Sequence, residues 1–338
     1  MNSSVIVAGA RTPIGRLQGS LASLSAVDLG GIAIAATLEN VDITPAQVEY
    51  VILGQVLTAG SGQMPARQAA TKAGIPMTTP ALNINKVCLS GIESVILADQ
   101  LIRAGAFDII VAGGMESMSQ APHLLTQSRS GFKYGNATLV DHLAFDGLHD
   151  AYTDRSMGVL TETGIAQHPQ TISRQEQDGF AARSHLLATR AWANGIFDDE
   201  VIPVQPHAHS DAVVRDENIR SDTSVESLSR LPSTFSSGGT VTAGNASPIN
   251  DGAAAILIMS KQRAQSEGLA WLAEIVTHGI VAGPDSGLLL QPANAIATAC
   301  ATAKLQPSEL DIVEINEAFA AVVIASTRAL ALDPARPG

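Results

Sequence analysis

Short apolar runs alternate with amphipathic stretches along the first third of the chain. The apolar runs have the length of strands and lie at residues 5–10, 48–56, 82–85 and 107–114. The amphipathic stretches between them repeat apolar residues at helical spacing and lie at residues 24–40, 65–74 and 88–103. Such alternation predicts a parallel or mixed sheet that helices cover on both faces.

The boundaries of the first two helices carry their own signals. Ser25 is the expected N-cap of the first helix, with Asp28 following in its first turn. Pro65 lies near the start of the second helix, and Gly74 lies at its end. These residue types favour helix ends, so the helices are predicted independently of their apolar spacing.

The character of the chain changes between about residues 115 and 240. Gly, Ser, Asp and His become frequent, and one clear helix is predicted at 173–195, with Ser173 and Glu176 as a capping box. Long excursions from an α/β scaffold usually carry binding function. The chain then returns to a predicted strand at 252–260.

The opening pattern starts again from residue 271. Strands are predicted at 271–283 and 310–316, and helices at 293–304 and 317–332. The same order in both halves indicates an internal duplication of one α/β unit. The second half stops before its counterpart of the unit that carries Cys88, so we expect it to be incomplete, with an open edge and exposed apolar faces.

Composition and charge exclude several classes of function. Hydrophobic residues make up 46% of the 338 residues and charged residues only 15%, which is typical of a globular chain. The net charge of −12 argues against a general nucleic-acid surface or an anionic membrane surface. We find no signal peptide, no membrane-spanning run and no Cys/His metal spacing, so a cytoplasmic protein without a metal is expected.

Cys88 is one of two cysteines and stands between a predicted strand and a predicted helix. In the first turn of that helix, unpaired N–H groups and the positive end of the dipole would favour a thiolate. The alternative is a buried cysteine that acts as a small hydrophobic residue.

Seven motifs along the chain resemble those of the thiolases, in the family's order. They span nearly the whole chain and read GARTPIG at 9–15, GQVLTAG at 54–60, ARQAA at 66–70, NKVCLSG at 85–91, AGGMESMSQAPH at 112–123, VTAGNASPINDGAAA at 241–255 and NEAFA at 316–320. Within the family, the sequence is most similar to the acetyl-CoA acetyltransferases.

The resemblance implies a duplicated, five-layered αβαβα fold. Residues 1–265 would form the N-terminal half, including an inserted loop domain at about 115–240, and residues 266–338 a truncated C-terminal half. The implied reaction is acetyl transfer through a cysteine thioester, either in condensation of two acetyl-CoA molecules or in thiolysis of 3-ketoacyl-CoA. CoA thioesters are then the substrates, no cofactor is needed, and relatives form dimers or tetramers.

The resemblance also assigns residues. Cys88 matches the nucleophile, which agrees with its position at a helix terminus. Asn316 matches the residue that orients a water in an oxyanion hole, although it could instead cap the helix that follows. The positions that match the CoA and pantetheine pocket are Leu148, Met157, Arg220, Ser227, Leu231, Pro232, Phe235, Ala243, Ser247, Ala318 and Phe319.

Two departures from the family pattern bear on activity. Ser156 stands where many relatives have a histidine, which affects the expected acyl preference. The given sequence also contains neither the Gly-His-Pro segment, whose histidine activates the nucleophile, nor the Cys-x-Gly segment, whose cysteine is the acid/base. Cys300 lies at an apolar helical position and is predicted to be core.

Three alternatives to an active thiolase follow from these observations. The first is a catalytically dead, truncated remnant that at most binds acyl-CoA. The second is a ketoacyl synthase, which shares the duplicated architecture, although the segments at 85–91 and 113–123 fit thiolases better. The third is a nicotinamide dehydrogenase, which is disfavoured because residues 9–15 lack the Gly-x-Gly-x-x-Gly spacing.

Overall fold

The computed structural model describes residues 3–332, which fall into two compact units. The first unit consists of residues 3–147, Ile196–Asn218 and Ile249–Ile275. The second consists of Leu148–Gly195, Ile219–Pro248 and residues 276–332. Each unit is therefore assembled from three separate stretches of chain. The two halves predicted from the internal duplication, which meet at residue 265, divide the chain differently from these units. That division stays a prediction.

A seven-stranded mixed sheet forms the centre of the first unit. Its strands are β1 (Ser4–Arg11), β2 (Gly15–Arg16), β3 (Tyr50–Gly54), β4 (Ala81–Ile84), β5 (Ile109–Ser117), β10 (Asn250–Ser260) and β11 (Ala273–Ile275). The order across the sheet is β11-β1-β10-β5-β3-β4, and β2 pairs with β10. β3 runs parallel to β4 and β5, whereas β10 runs antiparallel to β1 and β5. The predicted mixed sheet is confirmed.

Four short strands pair outside this sheet. They are β6 (His123–Leu124) with β7 (Val140–Asp141) in the first unit, and β8 (His149–Asp150) with β9 (Arg155–Ser156) in the second. The helices of the first unit are α1 (Ala26–Glu39), α2 (Pro65–Lys72), α3 (Ser90–Arg103) and α7 (Lys261–Ser266). Those of the second are α4 (Met157–Gln167), α5 (Arg174–Ala193), α6 (Val225–Ser229), α8 (Gln291–Ala303) and α9 (Ala320–Ala329).

Helices cover the sheet on both faces, as the apolar pattern predicted. On one face, α1 and α2 pack with Leu53 and Val111 in the larger core cluster. On the other face, α3 buries Ala98 and Ile102 against Ile52 and other residues of the sheet. Since neighbouring residues of a strand point to opposite faces, Ile52 and Leu53 enter different clusters.

The start of α1 shows how local chemistry fixes a helix end. The Ser25 hydroxyl accepts the N–H of Asp28 at 3.1 Å, and the Asp28 carboxylate accepts the N–H of Ser25 at 3.1 Å. Lys72 of α2 forms a 2.7 Å ion pair with the same carboxylate. Partial burial alone would raise the pKa of Asp28, but the hydrogen bonds from Lys72 and Ser25 outweigh it and hold the pKa below its ordinary value.

Helix α5 confirms the helix predicted for the middle region, with one difference at its start. Ser173 caps the helix by accepting the N–H of Glu176 at 3.2 Å, and Gly195 follows its end with a φ of 71°. The Glu176 carboxylate is hydrogen-bonded to Arg328. The second bond of the predicted capping box is therefore not seen, because the glutamate binds a stronger, charged donor.

Strands predicted for the second half are largely wrong. Of residues 271–283, the structure forms only β11, which joins the first sheet beside β1. Within the described chain, residues 310–316 form no strand. A strand needs a neighbouring strand, and among the described residues of these two segments only Ala273–Ile275 pair with one. Leu272, Ile280 and Ile312 are exposed.

Candidate active site

Cys88 lies in a tight turn between β4 and α3. We call residues 85–89 the nucleophile turn. Its backbone closes through a 3.1 Å bond from the Leu89 N–H to the Lys86 carbonyl. Val87 has a φ of 50°, a left-handed conformation that is rare for a β-branched residue. Such strain costs on the order of 1–3 kcal/mol and persists only where surrounding contacts impose it.

Side chains on both sides of the turn impose this conformation. The Asn85 carboxamide oxygen accepts the N–H of Val87 at 3.0 Å. The Ser90 hydroxyl accepts the N–H of Lys86 at 2.8 Å and donates to the Val87 carbonyl at 2.6 Å. The strained residue is therefore held from both its N–H and its carbonyl, directly before Cys88.

A close contact between Gly54 and the start of α3 supports the nucleophile turn. A Cβ atom built on Gly54 would lie 2.5 Å from the Ser90 carbonyl carbon and 2.7 Å from the Gly91 nitrogen. Only glycine therefore lets the end of β3 touch the first residues of α3. This contact fixes the position at which α3, and with it the nucleophile turn, leaves the sheet.

The Cys88 thiol is exposed, and its pKa is raised rather than lowered. Desolvation by the surrounding protein is the larger cause, and a hydrogen bond from its own backbone N–H opposes it. The prediction that Cys88 lies in the first turn of α3 is wrong, since α3 begins at Ser90 and Leu89 is its N-cap.

A carboxylate and a histidine lie close to the loop that follows β3. Glu116 accepts the N–H groups of Val56 and Leu57 at 2.8 and 3.2 Å. Burial raises the pKa of Glu116, while these two N–H groups and the charge of His142 oppose the rise. His142 is 5% exposed and hydrogen-bonded to Asp146. The sequence analysis did not identify these residues. The i, i+4 spacing of His142 and Asp146 was the signal that could have indicated their pairing.

All the pocket residues predicted from the family lie in the second unit, as does Asn316. Phe235 and Phe319 form an edge-to-face pair with ring centroids 6.0 Å apart and an angle of 82°. Met157 and Ala318, both half-buried, pack into the same apolar cluster. The structure thus brings four of the predicted residues together, and two of the four form the aromatic pair.

The segment 242–247 is joined to the start of α9. The N–H of Ser247 donates to the Ala318 carbonyl at 2.9 Å, and the N–H of Ala320 donates to the Asn245 carbonyl at 2.9 Å. The buried Asn245 amide in turn donates to Asp178 at 2.9 Å. Ala243 and Ser247 are exposed on this segment, and so are available to a ligand.

The remaining predicted residues are spread over the second unit. Arg220 is exposed, and its backbone N–H donates to His185 Nδ1 at 3.2 Å. Ser227 is exposed on α6, where it forms a capping box with Ser224. Leu148 is half-buried at the end of a π-helical turn, Leu143–Leu148. Leu231 is half-buried and Pro232 exposed in the segment that follows α6.

Two sequence alternatives are decided here. Asn316 is exposed and lies before Phe319, which is the N-cap of α9 and makes no side-chain cap bond. The interpretation of Asn316 as a helix cap is therefore wrong. Ser156, the residue that replaces the family's histidine, caps α4 through a 3.4 Å bond from the Val159 N–H. Cys300 is 5% exposed, which confirms it as a core residue.

Two kinds of feature are absent from residues 3–332. No group of three or more His, Cys, Asp or Glu side chains is arranged to hold a metal ion. No helix in this range combines the length and the hydrophobicity needed to cross a bilayer.

Comparison with known proteins decides the family. The model of the thiolase N-terminal domain matches residues 4–262, and that of the thiolase C-terminal domain matches residues 269–336. The chain belongs to the thiolase family. A probable acetyl-CoA acetyltransferase of Mycolicibacterium smegmatis is 59% identical to this thiolase over 335 residues, which are 98% of this chain and 86% of the relative.

Further relatives give the same result. A probable acetyl-CoA acetyltransferase of Mycobacterium leprae is 58% identical over 99% of this thiolase and 85% of its own length. The acetyl-CoA acetyltransferase of Cupriavidus necator is 46% identical over 99% of this thiolase and 86% of its own length. The predicted family and the mixed α/β fold are confirmed, and the expected acyltransferase class agrees with the names of these relatives.

The description of this thiolase as truncated is not supported. The chain covers 86% of the M. smegmatis relative, and the C-terminal domain model matches up to residue 336. Residues 333–336 of that match lie outside the described residues. The given sequence contains neither the Gly-His-Pro segment nor the Cys-x-Gly segment. What this means for its chemistry stays a prediction.

Proposed function

We propose that this thiolase transfers acetyl groups between CoA thioesters through a thioester on Cys88. The observation that carries the proposal is the exposed Cys88 thiol, held directly after the strained Val87 in a turn fixed on both sides. Strained backbone at an exposed nucleophile is typical of catalytic turns. The relatives' names supply the substrate class, acetyl-CoA.

The first step forms the acyl-enzyme. The Cys88 sulfur attacks the thioester carbon of acetyl-CoA, the bond from that carbon to the CoA sulfur breaks, and the proton of Cys88 ends on the CoA thiol. In the second step the α-carbon of another acetyl-CoA, deprotonated by a base, attacks the Cys88 thioester and releases the sulfur. Thiolysis of a 3-ketoacyl-CoA is the reverse. Asn316 would stabilise the oxyanion through a bound water.

The pocket for CoA would lie in the second unit. The aromatic pair of Phe235 and Phe319 provides an apolar wall, and the exposed Ala243 and Ser247 offer backbone groups to the pantetheine arm. Arg220 supplies a charge for the nucleotide end of CoA. We further propose a cytoplasmic homo-oligomer that acts in fatty acid metabolism, with no cofactor beyond the CoA substrates and no nucleic-acid or membrane partner.

A chain that only binds acyl-CoA is the second candidate. The raised pKa of Cys88 favours it, because among the described residues no charged group contributes to that shift. A thiol of this kind needs a general base before it can attack a thioester. Under this alternative CoA would bind, but Cys88 would stay unmodified.

Thiolysis of acetoacetyl-CoA by the purified chain separates the two candidates. Loss of the substrate's enolate absorbance measures turnover, and intact mass measures acetylation of the protein. Under the proposal, the wild-type chain turns over, Cys88→Ala abolishes both signals, and the buried control Cys300→Ala retains them. Binding of CoA with neither signal would support the second candidate and overturn the first.

A further inference from the structure

Glu116 lies near the end of β5, and its carboxylate accepts hydrogen bonds from the backbone of the loop that follows β3. Its two oxygens each accept one N–H, from Val56 and Leu57, directly after β3. The residue is half-buried, and burial raises its pKa. Partial burial of an ionisable side chain costs free energy, which the two hydrogen bonds offset.

The hydrogen bonds continue from Val56 to the nucleophile turn. The Val56 carbonyl accepts the side-chain amide of Asn85 at 3.3 Å. The other end of that amide accepts the N–H of Val87 at 3.0 Å. Three links therefore join the Glu116 carboxylate to the residue before Cys88. The same peptide segment receives the carboxylate through its N–H and the asparagine through its carbonyl.

The turn depends on such a support. Val87 is β-branched and left-handed, a conformation that relaxes once its neighbours release it. Asn85 can hold the Val87 N–H only while its own amide stays anchored on the Val56 carbonyl. That carbonyl keeps its position because Glu116 fixes the N–H groups on either side of it.

We propose that Glu116 is a positioning residue for Cys88 and acts through Val56 and Asn85. The inference rests on the proposed function of Cys88 as the acylated nucleophile. Glu116 holds the turn in the conformation in which the thiol meets the thioester, and it takes no part in the chemistry itself.

Both carboxylate oxygens of Glu116 accept hydrogen bonds, so the substitution Glu116→Gln tests this role specifically. A carboxylate presents an acceptor to each N–H, whereas an amide presents one acceptor and one NH₂ group. In Glu116→Gln, the NH₂ group would face a backbone N–H and leave it unsatisfied. Residue size is unchanged, so packing of the variant is preserved.

Glu49 provides a control for the loss of a carboxylate charge in the same sheet. Its half-buried carboxylate accepts the N–H groups of Asp108 and Ile109 at 2.6 and 3.3 Å, at the start of β5. Both bonds end on the same carboxylate oxygen, so Glu49→Gln can keep them through its amide oxygen and removes only the charge, at the opposite end of β5. Any general effect of removing a carboxylate from the sheet appears in both variants.

The experiment measures Cys88 acetylation by acetyl-CoA and hydrogen exchange of the Val87 amide. We expect Glu116→Gln to lower the maximal acetylation rate about 10- to 100-fold, with the half-saturating acetyl-CoA concentration unchanged. Val87 should exchange faster, because its hydrogen bond opens more often. Glu49→Gln should leave both measurements at wild-type values. Equal rates in the two variants would overturn the proposal.

A double-mutant cycle with Asn85→Ala tests the connection itself. If Glu116 acts through Asn85, the double variant is acetylated no more slowly than Asn85→Ala alone. Multiplied losses would show that Glu116 acts by another route and would overturn the proposal. If the wild-type chain is not acetylated at all, the proposed function fails, and Val87 exchange in Glu116→Gln still decides whether the support exists.

Discussion

Gly54→Ala tests whether the contact between β3 and α3 sets the position of the nucleophile turn. The added Cβ would lie 2.5 Å from the Ser90 carbonyl carbon, about 0.9 Å closer than the shortest ordinary contact. The opposing atoms belong to the backbone of α3, so no side chain can rotate away. The strand or the helix must move by most of that distance.

The expected magnitudes follow from this displacement. Overpacking of this kind typically costs about 1–3 kcal/mol in the free energy of unfolding. For a unit of this size that corresponds to a fall in Tm of about 2–12 °C. A shift of the nucleophile by nearly 1 Å should also slow Cys88 acetylation, by up to about 10²-fold.

Gly114→Ala is the matched control. Gly114 lies on β5 beside Gly54 in the sheet, but a Cβ there would meet its nearest atoms at 3.5 Å, an ordinary contact. Urea unfolding and intact-mass acetylation would be measured for both variants. If Gly54→Ala and Gly114→Ala unfold at the same urea concentration and are acetylated at the same rate, the close approach does not position the turn.

Three further predictions concern reactivity, ion pairing and pH. Iodoacetamide should modify the exposed Cys88 before the buried Cys300, and peptide mapping with the reverse order would contradict the assignment of the nucleophile. Arg11→Lys should cost about 1.5–3 kcal/mol, measured by urea unfolding, because lysine cannot reproduce the 2.8 and 3.2 Å bonds from Arg11 to the two Asp216 oxygens; an unchanged midpoint would refute this. The pKa of Asp28 is lowered, so its contribution to stability is present above the ordinary carboxyl pKa and is lost as pH falls through the lower, folded value. The difference in urea midpoint between wild type and Asp28→Asn should therefore shrink below about pH 4, and a constant difference would count against the shift.

Local signals in the sequence predicted the first unit well. The Ser25 cap, the glycine after α2 and the short apolar runs of β1 and β10 all specify structure within a few residues of themselves. The helix of the middle region was predicted for the same reason. Cys88 was also placed correctly between strand and helix, although the helix starts two residues later than predicted.

What the sequence could not predict depends on partners distant in the chain. Residues 271–283 have a strand pattern, but β11 is short and pairs with β1 because that edge is free. The role of Glu116 depends on Val56 and Asn85, which only the sheet brings near it. The raised pKa of Cys88 follows from desolvation by surrounding protein, which no motif records.

The central place of β10 sets the order in which the chain can fold during synthesis. β10 lies between β1 and β5, so neither of those strands has its inner neighbour until residue 260 has been made. About 130 residues separate the end of β5 from β10, which at ribosomal speed is a delay of roughly 6–26 s. During that interval β3, β4 and β5 have only one another to pair with, and the edge of β5 that pairs with β10 in the native sheet would be open. A nascent chain paused before residue 250 should therefore be a strong substrate for ribosome-associated chaperones, and one paused well after residue 260 a weak one.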